Sequence, residues 1–229
     1  MFEHPLFMIF LTLSVFIISE KIFVHFNKNS LLNPVLITII LIITIMSIFD
    51  ISYEQYKEGT QIFNYLIAPA IVALAVPVYQ NLKKVRSSLS LVLSATLISG
   101  IGIFVSALFL GTLFGLPDAM VEALSTKSIT LPIALEIAQL TDGSFPLVVI
   151  GVFSTGLPGV IVVPMLLKLL KVKDEALQGL VLGITAHAFG IARALAISPL
   201  AAAFASIGMV IMGCFAVVAV PIILKLGGF

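Results

Sequence analysis

Residues 119–141 read AMVEALSTKSITLPIALEIAQLT, apolar at both ends and polar in the middle. Whether this stretch crosses a bilayer, or enters and leaves on one side, sets the topology of everything after it. That a bilayer is involved follows from the rest of the chain. Of its 229 residues 60% are hydrophobic and 10% charged, and mean hydropathy is +1.23. A soluble chain is roughly half apolar and a quarter charged, so this one lacks the charges to cover a water-facing surface. The sequence predicts an all-α polytopic membrane protein. Charged residues punctuate it, leaving gaps of 17 to 31 uncharged residues between Lys28 and Lys225; a spanning helix needs about 20. Helices are expected near 5–25, 31–50, 60–82, 88–114, 145–168, 177–197 and 200–224.

The distribution of lysine and arginine then decides 119–141. Let the loops with Lys21 and Lys28, and with Lys83, Lys84 and Arg86, be cytoplasmic. If 119–141 crossed, Lys168, Lys171 and Lys173 would fall outside. If it re-enters from the outer side, they and Lys225 fall inside, and nine of the 12 basic residues are cytoplasmic. Seven spans plus a re-entrant element are therefore expected, with the N-terminus outside and the C-terminus inside. A pair of opposed re-entrant segments, the second over 179–196, is the alternative. Glu3 and His4 stand where a signal peptide carries basic residues, so the first stretch reads as a retained helix. It defines a first segment, 1–30, ahead of a main transmembrane segment, 31–229. VPVYQNLKK, VPMLLKLLK and VPIILKL echo one another, either as common helix-end chemistry or as the trace of a repeat relating 60–114 to 145–197.

Polar groups at membrane depth are costly and usually line a cavity or pair. Lys127, His187 and Arg193 lie in apolar territory, with Glu136 the acid among them. Ser128, Thr130 and Pro132 surround the first; Thr185, Gly183 and Gly190 surround the others. A helix break beside such residues frees backbone N–H groups at a half-helix N-terminus, where the dipole favours an anion. Hydroxyls add donors and a lysine or arginine the counter-charge. Pro69, Pro77, Pro158 and Gly190 are the expected breaks. Glu136 would neutralise the empty site or relay a proton. Plainer roles compete: Arg193 as the buried structural partner of Glu136, His187 as a packing residue, Lys127 snorkelling to the interface. GlyThrLeuPheGly (111–115) and GlyLeuValLeuGly (179–183) match the small-xxx-small packing pattern, which arises readily by chance. Asn33 is placed to cap the second helix.

Other chemistries find no footing. There is no basic block for nucleic acid, and the single cysteine, Cys214, makes neither disulfide nor thiolate metal site. No cofactor, zinc or nucleophile-elbow motif occurs, and an enzyme would have to be assembled from His187 with Thr185 or Ser206.

The strings NPVLITIIL (33–41), ISYEQYKEG (51–59), IAPAIVALAVPVY (67–79), TKSITLPIALEIA (126–138) and GLVLGITAHAFGIARAL (179–195) are similar, in order and spacing, to the LrgB/CidB family of bacterial membrane proteins. The resemblance covers about residues 31–226. The chain departs from the family pattern at Thr126 and Leu131, where proline and threonine are usual, and at Ala186, where serine is usual; each stretch loses a hydroxyl. The resemblance implies two functions: an antiholin-like regulator of murein hydrolase activity and autolysis, acting with a holin-like LrgA/CidA partner, or a carrier of pyruvate, glycolate or glycerate. Intramembrane charges among broken helices favour the carrier. The expected protein is a carrier, or carrier subunit, for small monocarboxylates in the bacterial inner membrane, free to form a homo-oligomer.

Overall fold

A computed structural model describes residues 5–27, 29–73 and 75–228. Glu3, His4 and Lys28 lie outside them. Eleven α-helices are present among the described residues: α1 (Pro5–His25), α2 (Pro34–Ile48), α3 (Tyr53–Gly59), α4 (Ile62–Ala73), α5 (Ala75–Gln80), α6 (Leu82–Leu113), α7 (Asp118–Ser125), α8 (Leu131–Leu140), α9 (Phe145–Leu169), α10 (Glu175–Leu195) and α11 (Pro199–Gly227). α1, α6, α9, α10 and α11 are long and apolar enough to cross a membrane. The protein is a polytopic all-α membrane protein.

The chain divides into two compact units, one holding α1–α4 and the other α5–α11. In the first, α1 packs against α2 and α3, and the Thr12 and Tyr56 hydroxyls hydrogen-bond at 2.9 Å. The Asn33 side chain accepts from the Val35 and Leu36 amides and caps α2, with Pro34 at its first position. The acidic run expected as a loop contains α3, opened by a capping box between Ser52 and Gln55. The expected span 60–82 is delivered as α4, with Pro69 inside it, and α5, with Pro77.

In the second unit two helical hairpins pack on α9. The first is α7, a turn at residues 126–130, and α8. A Cβ on Gly151 would stand 3.2 Å from the Ala123 carbonyl oxygen, and the Thr155 hydroxyl donates to the Lys127 carbonyl. Four residues along α9 thus match four along α7 and the turn that follows it, so α7 and α9 run in the same direction. α8, which joins them, must run back. The expectation of a segment that enters and leaves on one face agrees with this shape.

The second hairpin is α10 itself. His187 has φ 42° and ψ −125°, which no helix tolerates, and the chain reverses there. A Cβ on Gly190 would meet the carbonyl carbon of Leu182 at 2.6 Å, and Gln178, Leu182, Arg193 and Ile197 line one cavity. In a straight helix residues 178 and 193 would be about 22 Å apart. Independently, Gly179 abuts the Ala201 carbonyl and Gly183 the Ala205 carbonyl. That +4/+4 register means that residues 175–186 and α11 run parallel, which requires residues 188–198 to return. α10 was expected as a span; its length and hydropathy fit one, but its backbone folds back, as in the alternative of paired re-entrant segments.

One consequence concerns the faces of this unit. The start of α6 (Lys83, Lys84, Arg86) and the end of α9 (Lys168, Lys171, Lys173) share a face, and α11 ends on the opposite one. A straight α10 would have returned α11 to the lysine-rich face, and the expected position of the C-terminus rested on that straight helix.

Candidate functional site

Both hairpin tips reach the middle of α9. From one face, α7 rises 8 residues, about 12 Å, to its turn; from the other, the first arm of α10 rises 12 residues, about 18 Å, to His187. α9 has glycines where the tips touch it. Gly151 lies under the first tip. Gly156 lies under the second, where a Cβ would stand 2.8 Å from His187 Cε1 and 2.9 Å from Nε2. A Cβ on Gly159 would stand 2.9 Å from the Ala186 methyl. α9 runs unbroken through Pro158 and Pro164, so Pro158 is not a break; it lies one turn beyond Thr155.

The first tip carries the hydroxyls expected of an anion site, and they are not equivalent. Ser125 and Thr126 donate to the Val121 and Ala123 carbonyls of their own helix, each at 2.9 Å. Ser128 is buried, 6% exposed, and takes part in no hydrogen bond with another described side chain or backbone group. Thr130, extended at φ −67° and ψ 143°, precedes α8 without capping it. Pro132 follows at the second helical position, leaving the Leu131 and Ile133 amides at the N-terminus of a ten-residue helix. Ile129, 1% exposed, plugs the turn into the core.

The second tip is aromatic. His187, 2% exposed, holds Nε2 3.4 Å from the Val152 carbonyl oxygen of α9. Phe189 stands edge-on to both His187 (5.6 Å between centroids) and Phe153 (5.5 Å). Thr185 donates to the Val181 carbonyl at 2.7 Å within its own arm. The irregularity falls at His187, three residues before the expected Gly190, which is helical and glycine because its turn presses on the Leu182 carbonyl.

The predicted residues thus separate into groups. Ser128, Thr130, Pro132 and His187 belong to the two tips on α9. Lys127 lines an apolar cavity of about 300 Å3 with Leu110, Phe114 and Leu124. Arg193 is in a different cavity, of about 240 Å3, near Lys168 and Gln178 at the base of the second hairpin. Glu136 is on the exposed side of α8 and forms no ion pair among the described residues. The sequence reading missed Thr155 and the α9 glycines. Their signal was present: Ser154-Thr155-Gly156 is the one polar, small triple inside an apolar 25-residue helix.

The family profile described as LrgB-like family matches residues 12–226. A Staphylococcus epidermidis protein named holin-like protein CidB is 34% identical over 219 residues, covering 96% of this chain and 95% of that one. Its Staphylococcus aureus namesake is 32% identical over 227 residues, covering 98% of each. A Bacillus subtilis protein, YxaC, is 33% identical over 201 residues, 88% of this chain and 87% of its own. No solved structure matches. With a profile spanning nearly its whole length and full-length relatives above 30% identity, the chain belongs to the LrgB-like family.

Proposed function

We propose that this protein is a membrane carrier, or a carrier subunit, for small monocarboxylates such as pyruvate, glycolate or glycerate. The observation that supports it is the convergence of two oppositely directed hairpin tips on the glycine-lined middle of α9. Irregular backbone is tolerated at membrane depth where it is buried in protein or lines a cavity, and paired broken helices meeting at mid-depth suit alternating access. The carboxylate is held by the Ser128 and Thr130 hydroxyls and the amides that open α8, with His187 closing the site from the other tip. The lysine-rich face is cytoplasmic by the distribution of basic residues; α11 then ends outside, in place of the cytoplasmic C-terminus that a straight α10 implied. The membrane is the bacterial inner membrane.

The test is thermal stability of the purified protein in detergent against pyruvate, glycolate, glycerate and lactate, with acetate as control. A carrier gains about 2.7 kcal/mol at a hundredfold excess of ligand over Kd. A flat response across the panel would overturn the proposal.

A second function is favoured by a separate observation, the name holin-like carried by the staphylococcal relatives: an antiholin-like regulator that binds a small LrgA/CidA-like membrane protein and has no substrate. Co-purification with such a partner, together with indifference to carboxylates, distinguishes it.

A further inference from the structure

The cavity at the base of the second hairpin exists because α10 reverses. The first arm contributes Gln178 and Leu182, the return contributes Arg193 and Ile197, and the end of α9 contributes Lys168. Two cationic side chains therefore line one space of about 240 Å3, and no aspartate or glutamate is among the lining residues described. In the linker, Asp174 caps α10, accepting from the Leu177 amide at 2.8 Å. Gln178 donates through Nε2 to the Val172 carbonyl at 2.9 Å, which ties the α9–α10 linker across the cavity. Two cationic side chains lining one small space suit an anion. The volume is below the usual range of drug-sized pockets, roughly 300–1,000 Å3, and admits a small anion rather than a nucleotide. Lys127 is excluded from it, since it lines the other cavity.

We propose that the cavity lined by Lys168, Gln178 and Arg193 is a second anion-binding station, on the lysine-rich face, where the transported carboxylate pauses between the hairpin tips and the aqueous phase. It rests on the carrier function proposed above and deepens it: the chain has two stations for one substrate, a hydroxyl-rich one at the tips and a cationic one at the hairpin base.

The experiment is equilibrium binding of radiolabelled pyruvate to the purified full-length chain in detergent. It compares wild type with Lys168→Gln, Arg193→Gln, Lys168→Arg, Ser128→Ala and, as loop controls, Lys171→Gln and Lys173→Gln. Size-exclusion profile and helix content confirm that each variant is folded. The expected result is two equivalents of pyruvate per chain. One is lost or weakened about tenfold in Lys168→Gln and in Arg193→Gln, is retained in Lys168→Arg and both loop controls, and is lowered in affinity by added chloride. Ser128→Ala removes the other. If Lys168→Gln and Arg193→Gln leave both equivalents intact while Ser128→Ala removes one, the station is wrong and the carrier stands. If wild type binds no acid of the panel, both fall together. A lipid headgroup is the other source of the same chemistry: if phosphatidylglycerol, and not phosphatidylcholine, occupies the cavity so tightly that pyruvate never displaces it, the space is a lipid site and the proposal is overturned.

Discussion

Replacing Gly183 by alanine tests the parallel docking of α10 on α11 through a single methyl group. The added Cβ would stand 2.7 Å from both the Cα and the carbonyl carbon of Ala205, and still closer to its oxygen. All three are backbone atoms of a long helix, so no side chain can rotate away. Ordinary carbon–carbon contact begins near 3.5 Å, and the oxygen is nearer still, so the helices must part by at least about 0.8 Å. A gap of that size forfeits a quarter to a half of the dispersion well for every atom pair along the seam. The seam is long: Ala201 to Ser206 are all buried. Overpacking costs about 1–3 kcal/mol, and a rigid backbone obstacle places this case at the upper end, about 3 kcal/mol. For a chain of this size that is a fall in Tm of roughly 6–12 °C. The control is the same substitution at Gly102, whose Cβ would meet nothing within 4 Å and where alanine is the better helix former by up to about 1 kcal/mol; it should melt at or above wild type. The assay is fluorescence-detected thermal unfolding in one detergent. A Gly183→Ala protein melting within 2 °C of wild type would falsify the close parallel register, and with it the reversal of α10.

Three further outcomes follow from the same geometry. With Cys214 replaced by serine, single cysteines at Lys173 and Ile197 are expected to react with a membrane-impermeant maleimide from the same side of oriented vesicles, and one at Asp142 from the other; labelling of 173 and 197 from opposite sides would mean that α10 crosses. Gly156→Ala sets a methyl 2.5 Å from the Phe189 ring and 2.8 Å from the His187 ring. Since both rings can rotate, uptake into proteoliposomes should fall about tenfold while Tm drops by less than in Gly183→Ala; unchanged uptake would remove the aromatic tip of His187 and Phe189 from the site. Ser128→Ala should cost about 1–2 kcal/mol of carboxylate affinity, read by isothermal titration, with little change in Tm, because its hydroxyl supports no other described group; loss of stability without loss of affinity would assign it a structural role.

Composition and the spacing of charges made the class of fold legible, since an apolar run about 20 residues long is a direct consequence of bilayer thickness. The first hairpin was legible too, because Lys168, Lys171 and Lys173 force a choice about the segment before them. Reversal of α10 was less visible. Its 21 residues are as long and apolar as a span, and what reverses them is a dihedral at His187, a residue type with no fixed preference for that conformation. The motif at 179–183 looked like a chance match because its partner, the Ala201–Ala205 carbonyl row, is a backbone feature that no side-chain pattern announces. Its twin at 111–115 has a different fate: Gly111 meets the Val121 side chain and Gly115 turns the chain at φ 63°. At the site, the sequence placed Lys127 and Arg193 among the candidate charges of one anion site. The hairpins set them in separate cavities, because Arg193 travels back down the second arm while Lys127 stays at the turn of the first.

The reversal at His187 also bears on how the chain is made. Residues 175–195 have two membrane solutions, a straight crossing and a hairpin, and hydropathy alone does not choose between them. The hairpin's tip seats on α9, made before it, through Gly156 and Gly159, while its first arm packs by the glycine-to-carbonyl seam on α11, which leaves the ribosome later. A chain truncated at Ser198 therefore carries the second hairpin and its seat on α9 but lacks the α11 surface against which its first arm is held.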